Sequence, residues 1–391
     1  DADGKIFHSL EPKEKAGANG DSMNFHPCVT GIGSGKYVIL WNSVLYGEKK
    51  DSLSLADMRT VIRAAVYDST KAETDPGRMI YKSLVTEDED ENIVSGIVTD
   101  AVYDESAGEV VVLYRNLGLD GLTGEHTLGD LSRSNSVLAC TSLPVGNNSL
   151  ANPGTAFTDS VVLAEGGEDK VLKTADLDLV NGQPVIAYHV TEGPQAGILS
   201  DAEEGSQNHI YLTSLTHKGQ NGYDTGTVRE VTEDDSSRYH GYPKLMNGML
   251  MWKQEGRMAA ADAAAVLAGI PKDEETERKE YVGTGIASMV NAYAGNMENF
   301  TLIAGGDGKT YALWTEGMEA GTRVRMSALE PSGDGTYTWG AGSTVFETTD
   351  HRYIQAISPT VDGSGNLQAL YRETIVDSEA PDDGRSDICL R

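Results

Sequence analysis

Histidine, arginine and tyrosine side chains recur just before the β-rich segments that open several repeats of this sequence. Guanidinium groups bind carboxylates and sulfates through paired hydrogen bonds, so Arg238 and Arg352 could together hold an anionic ligand. The alternative is that they neutralise the acidic residues Asp234, Asp235 and Asp350. The predicted ligand-binding residues are His26, Arg238, Tyr239, His240, Tyr242, His351, Arg352 and Tyr353.

Three acidic residues in comparable positions could support hydrolysis of a glycosidic bond. A glycoside hydrolase needs two carboxyl groups roughly 5 to 10 Å apart, one acting as acid and the other as base or nucleophile. The candidates are Asp100, Asp176 and Glu298, which stand near the starts of predicted first strands. Because the chain has 60 acidic residues, such positions also arise without a catalytic role.

Acidic loops could bind calcium, which takes several carboxylate and carbonyl oxygens as ligands. The candidate ligands are Asp88, Asp90, Asp377, Asp382 and Asp383. None of these loops has the spacing of an EF-hand loop, and a solvated loop is the alternative. Neither a P-loop nor a Cys-x-x-Cys pair is present, so no cofactor other than calcium is predicted.

The charge balance argues against two classes of partner. With 60 acidic and 31 basic residues, the formal net charge of −29 repels nucleic-acid phosphates and anionic membranes. The apolar runs are far shorter than the roughly 20 residues that cross a bilayer. We expect neither nucleic-acid binding nor membrane insertion, and the acidity indicates solubility or cation binding.

An aromatic residue ends the same β-rich pattern six times along the chain. Each time, a turn containing Gly or Asn precedes a run of β-forming residues, as in GKYVILW and GEVVVLY. The six aromatic residues are Trp41, Tyr114, Tyr188, Trp252, Trp314 and Tyr371. They recur at intervals of roughly 60 to 75 residues, and the two chain ends together supply the last interval. The spacing predicts an all-β, six-bladed β-propeller of four-stranded antiparallel blades.

The N-terminal segment is predicted to close this ring. The last repeat ends after its third strand, whereas Lys5 to Leu10 (KIFHSL) resembles Met79 to Leu84 (MIYKSL), the predicted fourth strand of the first blade. Pairing of this segment with the last blade would remove an exposed sheet edge. The whole chain is thus predicted to be one domain. Its approximate blades are residues 25–85, 86–163, 164–231, 232–290, 291–346 and 347–391 together with 1–12.

The alanine-rich stretch Met258 to Ala268 interrupts the β pattern of the fourth repeat. Its helix propensity is the highest in the chain, and Gly269 and Pro271 follow as stop signals. We expect a short helix inserted in blade four.

The segment Ser332 to Trp339 (SGDGTYTW) has Ser, Asp, Gly and Trp at the offsets of a particular hairpin turn. It resembles the Asp-box of sialidases and related extracellular β-propellers, with Thr336 where that motif has glycine. In that family the box is a structural turn away from the active site. The resemblance therefore implies a propeller fold but does not imply any particular activity. The arginine cluster and Tyr-Glu pair of sialidases cannot be located in this sequence.

Location in the cell follows only indirectly from the sequence. The chain begins with Asp1 and shows no signal peptide, as a processed mature protein or a fragment would. Its cysteines, Cys28, Cys140 and Cys389, allow at most one disulfide. Acidity, scarce cysteine and loops rich in Gly, Asp and Asn suggest a bacterial protein that is extracellular or on the cell surface.

Three functions are compatible with these observations. The first hypothesis is a non-enzymatic binding or adhesion module that engages a glycan or a protein through the propeller funnel and loops. The second is a carbohydrate-active enzyme, hydrolase or lyase, that uses funnel carboxylates. The third is an interaction scaffold within a larger protein. An enzyme should show converging carboxylates with perturbed pKa values, whereas a binder needs only an accessible surface such as an aromatic patch.

Overall fold

A computed structural model gives the fold of most of the chain in two compact units, Asp1–Glu233 and Asp234–Arg391. The residues that it describes are 22–46, 58–83, 96–116, 136–145, 157–167, 169–193, 206–232, 240–254, 257–269, 279–281, 300–305, 307–331, 337–340, 342–361, 367–375 and 385–390.

The described residues of the first unit form three antiparallel sheets of the propeller-blade type. The first sheet pairs β1 (Ser22–Gly31), β2 (Lys36–Tyr46), β3 (Met58–Asp68) and β4 (Met79–Ser83) in that order. The second pairs β5 (Ile97–Asp104), β6 (Glu109–Asn116), β7 (Val137–Pro144) and β8 (Val161–Glu165). The third pairs β9 (Lys170–Val180), β10 (Gln183–Glu192) and β11 (Gln207–His217), with β12 (Tyr223–Thr225) and β13 (Arg229–Glu230) both on β11. Short 3-10 helices cover Pro76–Arg78 and Gly219–Asn221.

The described residues of the second unit form two sheets. One pairs β14 (His240–Met246), β15 (Met249–Gln254), β16 (Arg257–Asp262) and β17 (Lys279–Tyr281), and the helix α1 (Ala263–Ala268) follows β16. The other has eight strands: β18 (Phe300–Ala304), β19 (Thr310–Met318), β20 (Gly321–Pro331), β21 (Tyr337–Trp339), β22 (Ser343–Glu347), β23 (Arg352–Val361), β24 (Leu367–Ile375) and β25 (Arg385–Leu390).

The prediction of six blades is wrong, because the described residues form five sheets. The repeats themselves are present, since each of the six aromatic residues lies in the second strand of a repeat. The last two repeats share one sheet because Gly321 of β20 pairs in parallel with Arg352 of β23. Sequence spacing counts repeats, but it does not show when two repeats join edge to edge.

The predicted helix of the fourth repeat is shorter than its alanine content suggests. Residues 258–262 belong to β16, where they pair with β15 through the facing pair Trp252 and Ala259. Strand pairing therefore overrides the intrinsic helix propensity of alanine at these positions. Helix α1 begins after Asp262, whose Oδ1 accepts a hydrogen bond from the N–H of Ala265 at 2.8 Å, and ends at Gly269 in the left-handed conformation.

Two other sequence predictions fall partly or wholly outside the described residues. The closing strand Lys5 to Leu10 lies outside them, so closure of the ring stays a prediction. Of the Asp-box-like segment, only Tyr337–Trp339 is described, and it forms β21 against β20.

The central strand of the second sheet is buried on both faces. Val110 and Val112 of β6 pack toward the first sheet, while Val111 and Leu113 pack toward the third. Successive side chains of a strand point to opposite faces, so packing on both sides explains the unbroken apolar run VVVLY. The three sheets of the first unit thus share two cores, one on each face of β6.

Asn-Gly pairs form the turns of two hairpins. Asn181 and Gly182 join β9 to β10 with φ of 53° and 78°, and Asn247 and Gly248 join β14 to β15 with nearly the same angles. Turns with two positive φ values match the twist of the flanking strands and favour Asn-Gly.

Neither Cys28 nor Cys140 forms a disulfide, and the side chain of Cys389 lies outside the described set. Among the described residues, helices are all too short to cross a lipid bilayer.

Candidate functional site

A β-bulge occurs in the first strand of five repeats, close to the aromatic residue of the facing strand. The extra residues lie at 26–27, 99, 173–174, 242–243 and 355. Two of the bulges contain proline, which has no N–H to donate and therefore fits a break in the ladder. Bulges change the direction of side chains and are frequent beside functional sites. The first strands are therefore the elements in which a bulge changes the direction of side chains relative to a regular β-strand.

Asp100 follows the bulge of β5 and links two neighbouring first strands. Its Oδ2 accepts a hydrogen bond from the backbone N–H of Leu177 in β9 at 3.1 Å. Its Oδ1 accepts from the N–H of Ala101 at 2.8 Å. A side chain of the second sheet therefore satisfies a backbone donor on the first strand of the third sheet.

Asp176 and Asp178 lie on either side of Leu177, on the opposite face of β9 from its core side chains. Asp176 is buried, and Asp178 is half-buried with its Oδ1 accepting from the N–H of Leu179 at 2.8 Å. Burial, followed by the negative charge of Asp176, raises the pKa of Asp178 above its ordinary value. The side chain of Asp100 therefore reaches β9 between Asp176 and Asp178, so that the two predicted carboxylates and Asp178 lie along one short stretch of this strand.

Cys28 of β1 contacts β5 at Ala101, the residue that follows Asp100. Burial, followed by the charge of Asp100, raises the pKa of the Cys28 thiol to about 12, although a hydrogen bond from the backbone at Ala101 opposes the shift. A thiol with such a pKa is neutral near pH 7 and is a poor nucleophile and metal ligand. We name the group formed by Asp100, Asp176, Asp178 and Cys28 the inner-strand site.

The predicted ligand residues of the fourth repeat have different environments. His240 is fully buried, and its Nδ1 accepts a hydrogen bond from Nε1 of Trp252 at 3.3 Å. It is therefore a core residue of the fourth repeat. Tyr242 is half-buried in the bulge of β14, where it adopts a φ of 55°. Such a left-handed conformation is uncommon for a residue other than glycine and is one way a side chain is redirected.

The predicted ligand residues of the last repeat are mostly engaged within the protein. The guanidinium of Arg352 donates to Oε1 of Glu373 at 2.5 Å, and the hydroxyl of Tyr353 donates to the carbonyl of Glu319 at 3.0 Å. His351 is exposed, and its N–H donates to the carbonyl of Ala320. Arg352 therefore neutralises a buried carboxylate, although its partner is Glu373 rather than the expected Asp350.

The remaining candidates lie outside what the structure describes. They are Arg238, Tyr239, Glu298, Asp88, Asp90, Asp377, Asp382 and Asp383. The backbone of His26 lies in the bulge of β1, but its side chain is also outside the described set. Among described side chains, no three His, Cys, Asp or Glu residues are grouped as metal ligands, and the calcium prediction stays untested.

Comparison with known proteins gives only distant structural similarities. No family model matches the sequence, and no curated protein matches it. An α-L-arabinanase from Penicillium chrysogenum is 13% identical, with a TM-score of 0.43 over 94% of this chain and 93% of that one. An α-L-arabinofuranosidase from Fusarium graminearum is 11% identical, with a TM-score of 0.40 over 94% and 92%. A sialidase from Trypanosoma rangeli is 11% identical, with a TM-score of 0.38 over 93% and 53%. TM-scores below 0.5 are too low to indicate a ligand or reaction for this chain.

Sequence reasoning missed a second polar cluster between the second and third sheets. The hydroxyl of Tyr223 donates to Oδ2 of Asp104 at 2.9 Å. Buried Glu109 accepts from Oγ of Ser142 at 2.5 Å and lies 3.2 Å from Nε2 of His217. Each of these inter-sheet pairs joins residues more than a hundred positions apart, so no local pattern could reveal them. Every carboxylate in this cluster has hydrogen-bond partners within the protein. The cluster therefore stabilises the packing of the two sheets and is not a candidate ligand site.

Proposed function

We propose that the chain binds a glycan at the inner-strand site of its first unit. The observation that carries the proposal is that Asp100 of β5 hydrogen-bonds to β9 at Leu177, between Asp176 and Asp178. Carboxylate oxygens accept hydrogen bonds from sugar hydroxyls, and a few fixed polar groups give a binding site its specificity. Positions on paired strands hold such groups more firmly than loops do.

The charge of the protein supports a ligand rich in hydroxyl groups. A net charge of −29 disfavours polyanionic nucleic acid, whereas hydroxyl donors are attracted to carboxylates whatever the overall charge. An extracellular or cell-surface location fits this proposal and stays part of it. A role for calcium in the acidic loops also stays a proposal, with Asp88 and Asp377 among its candidate ligands.

Glycoside hydrolysis is the second candidate function, and the pKa of Asp178 is the observation that favours it. Burial and Asp176 raise this pKa, which keeps the carboxyl group protonated to a higher pH than an exposed aspartate. Hydrolysis of a glycosidic bond requires two carboxyl groups, one of which donates a proton to the leaving group. In this role Asp178 would act as the general acid.

Glycan-array screening with hydrolysis assays on the same glycans tests both functions. We expect array binding by the wild-type chain and at least a tenfold loss in Asp176→Asn and Asp178→Asn. The matched control is Glu165→Gln, which removes an exposed carboxylate of β8 and should bind normally. Release of reducing ends that Asp178→Asn abolishes would establish the hydrolase. Absence of any array signal, or equal binding by all variants, would contradict a glycan site here.

A further inference from the structure

Three Asn-Gly pairs lie within the described residues, and their surroundings differ. They are Asn181–Gly182, Asn221–Gly222 and Asn247–Gly248, while a fourth pair of the sequence, Asn19–Gly20, lies outside what the structure describes. In such a pair the backbone nitrogen of glycine can attack the side-chain amide of asparagine, because no Cβ hinders its approach. Asparagine is one of the thermolabile residues of proteins. The three pairs share one possible reaction, and their surroundings decide how freely each can undergo it.

Asn181 and Gly182 form the least restrained of these pairs. Both residues are exposed at the tip of the β9–β10 hairpin, and no described residue hydrogen-bonds to the side chain of Asn181. The N–H of Gly182 makes no backbone hydrogen bond within the described chain. A Cβ placed on Gly182 would meet no atom within 4 Å, so the space around this glycine is open. Neither the amide of Asn181 nor the nitrogen that would attack it is held by a partner.

The other two pairs are each restrained at one of the reacting groups. Asn247 lies in the same type of turn as Asn181, with nearly the same φ, but its Nδ2 donates a hydrogen bond to Oγ1 of Thr310 in β19 at 2.9 Å. Gly222 is buried, and its N–H donates to the carbonyl of Gly219 at 3.2 Å. The amide is therefore held in the pair that begins at Asn247, whereas the attacking nitrogen is held in the pair that contains Gly222.

We infer that Asn181 is a site of spontaneous modification in the folded chain and deamidates faster than Asn221 and Asn247. The nitrogen of Gly182 loses its proton and forms a bond to Cγ of Asn181, and the bond from Cγ to Nδ2 then breaks to release ammonia. Water opens the resulting cyclic imide at either of its two carbonyl carbons, which gives aspartate or isoaspartate.

Either product changes the β9–β10 hairpin, which carries part of the inner-strand site. Each adds a negative charge at the tip of the hairpin, and isoaspartate also lengthens the main chain of the turn by a methylene group. The two central residues of such a turn need positive φ values to match the twist of the flanking strands. The inference does not depend on the proposed glycan site, because it rests only on the surroundings of the Asn-Gly pairs.

Peptide mapping by mass spectrometry, after incubation of the folded chain at mildly alkaline pH, tests the inference. Asn181 should be converted about fivefold faster than Asn247, because the amide of Asn247 must first lose a hydrogen bond of typical net strength. Thr310→Val removes the acceptor of that bond and should raise the rate at Asn247 to the rate at Asn181. Thr301→Val, which removes a hydroxyl elsewhere in the same sheet, is the matched control and should leave both rates unchanged.

Incubation of the chain in urea separates the effect of the fold from that of the local sequence. The three pairs should then react at similar rates, because glycine follows each asparagine. A ranking that persists in urea would overturn the inference, as would conversion of Asn221 or Asn247 in the folded chain as fast as that of Asn181. An unchanged rate at Asn247 in folded Thr310→Val would also contradict it. Thermal unfolding shows whether this variant is folded, and the ranking within the wild-type chain decides if it is not.

Discussion

At the scale of single residues, the buried and half-buried carboxylates differ in how many hydrogen-bond donors they have within the protein. Asp104 accepts hydrogen bonds from Ser106, Ala107 and Tyr223, and it is buried as a structural acceptor. Asp178 has one backbone donor and a raised pKa. The sequence alone does not distinguish these two aspartates, because the difference depends on Tyr223, which is 119 positions from Asp104.

Removing the hydroxyl of Tyr223 tests the structural role of Asp104. Tyr223→Phe should lower the free energy of unfolding by about 1–3 kcal/mol at pH 7, because a buried carboxylate loses a donor. Tyr353→Phe is the control, since its hydroxyl bond is exposed and its loss should cost less than about 0.5 kcal/mol. Urea denaturation measures both values. Equal effects of the two substitutions would contradict this account.

The effect of Tyr223→Phe should also depend on pH. Burial raises the pKa of Asp104, but hydrogen bonds from Ser106, Tyr223 and the backbone outweigh it and leave the pKa below the ordinary value. The stability that Asp104 contributes is therefore complete above the unfolded pKa of about 4 and is lost as pH falls through the folded pKa. The difference between wild type and variant should shrink below pH 4. A difference that stays constant down to pH 2.5 would show that Asp104 is not the acceptor.

At the scale of elements, strand positions followed from the sequence better than their grouping into sheets. The second strands at Trp41 and Trp252 were predicted from a turn followed by a β-rich run that ends in an aromatic residue. This prediction was possible because the pattern is local in the sequence. The bulges opposite these residues contain Pro27 and Pro243, but the sequence alone does not identify these positions as bulges. The join between β20 and β23 rests on one bridge between distant residues, which no local pattern reports.

The double-sided burial of β6 predicts the cost of a core substitution. Leu113→Ala should lower the free energy of unfolding by about 2–5 kcal/mol, because a buried leucine leaves a cavity between the second and third sheets. Val162→Ala in β8 is the control, since Val162 is half exposed and its loss should cost below about 1 kcal/mol. Chemical denaturation measures both. Similar costs would show that the two sheets do not pack as described.

At the scale of the whole molecule, net charge is the property that the sequence predicts most directly. Long-range repulsion by a charge of −29 should prevent binding to duplex DNA even at low ionic strength. Fluorescence anisotropy with a labelled duplex in about 50 mM salt should show no binding at micromolar protein. Binding that weakens steeply as salt is added would reveal a basic surface and contradict the prediction.

The predicted ring of six blades shows the limit of whole-molecule prediction from one sequence. Each of the six aromatic residues lies in a second strand, but the described strands assemble into five sheets rather than six blades. Ligand residues were placed by assuming that all first strands meet at one funnel. In the structure, Asp100 hydrogen-bonds to the strand that carries Asp176. His240, however, is a core residue that hydrogen-bonds to Trp252, and Arg352 forms an ion pair with Glu373.

Hydrogen–deuterium exchange with a glycan selected on the array is the most direct test of the inner-strand site. The account predicts slower exchange on ligand binding within Ile97–Asp104 and Lys170–Val180, the strands that carry Asp100, Asp176 and Asp178. Exchange in β19, Thr310–Met318, should stay unchanged. Protection confined to the second unit, with none in β5 or β9, would contradict the proposed site.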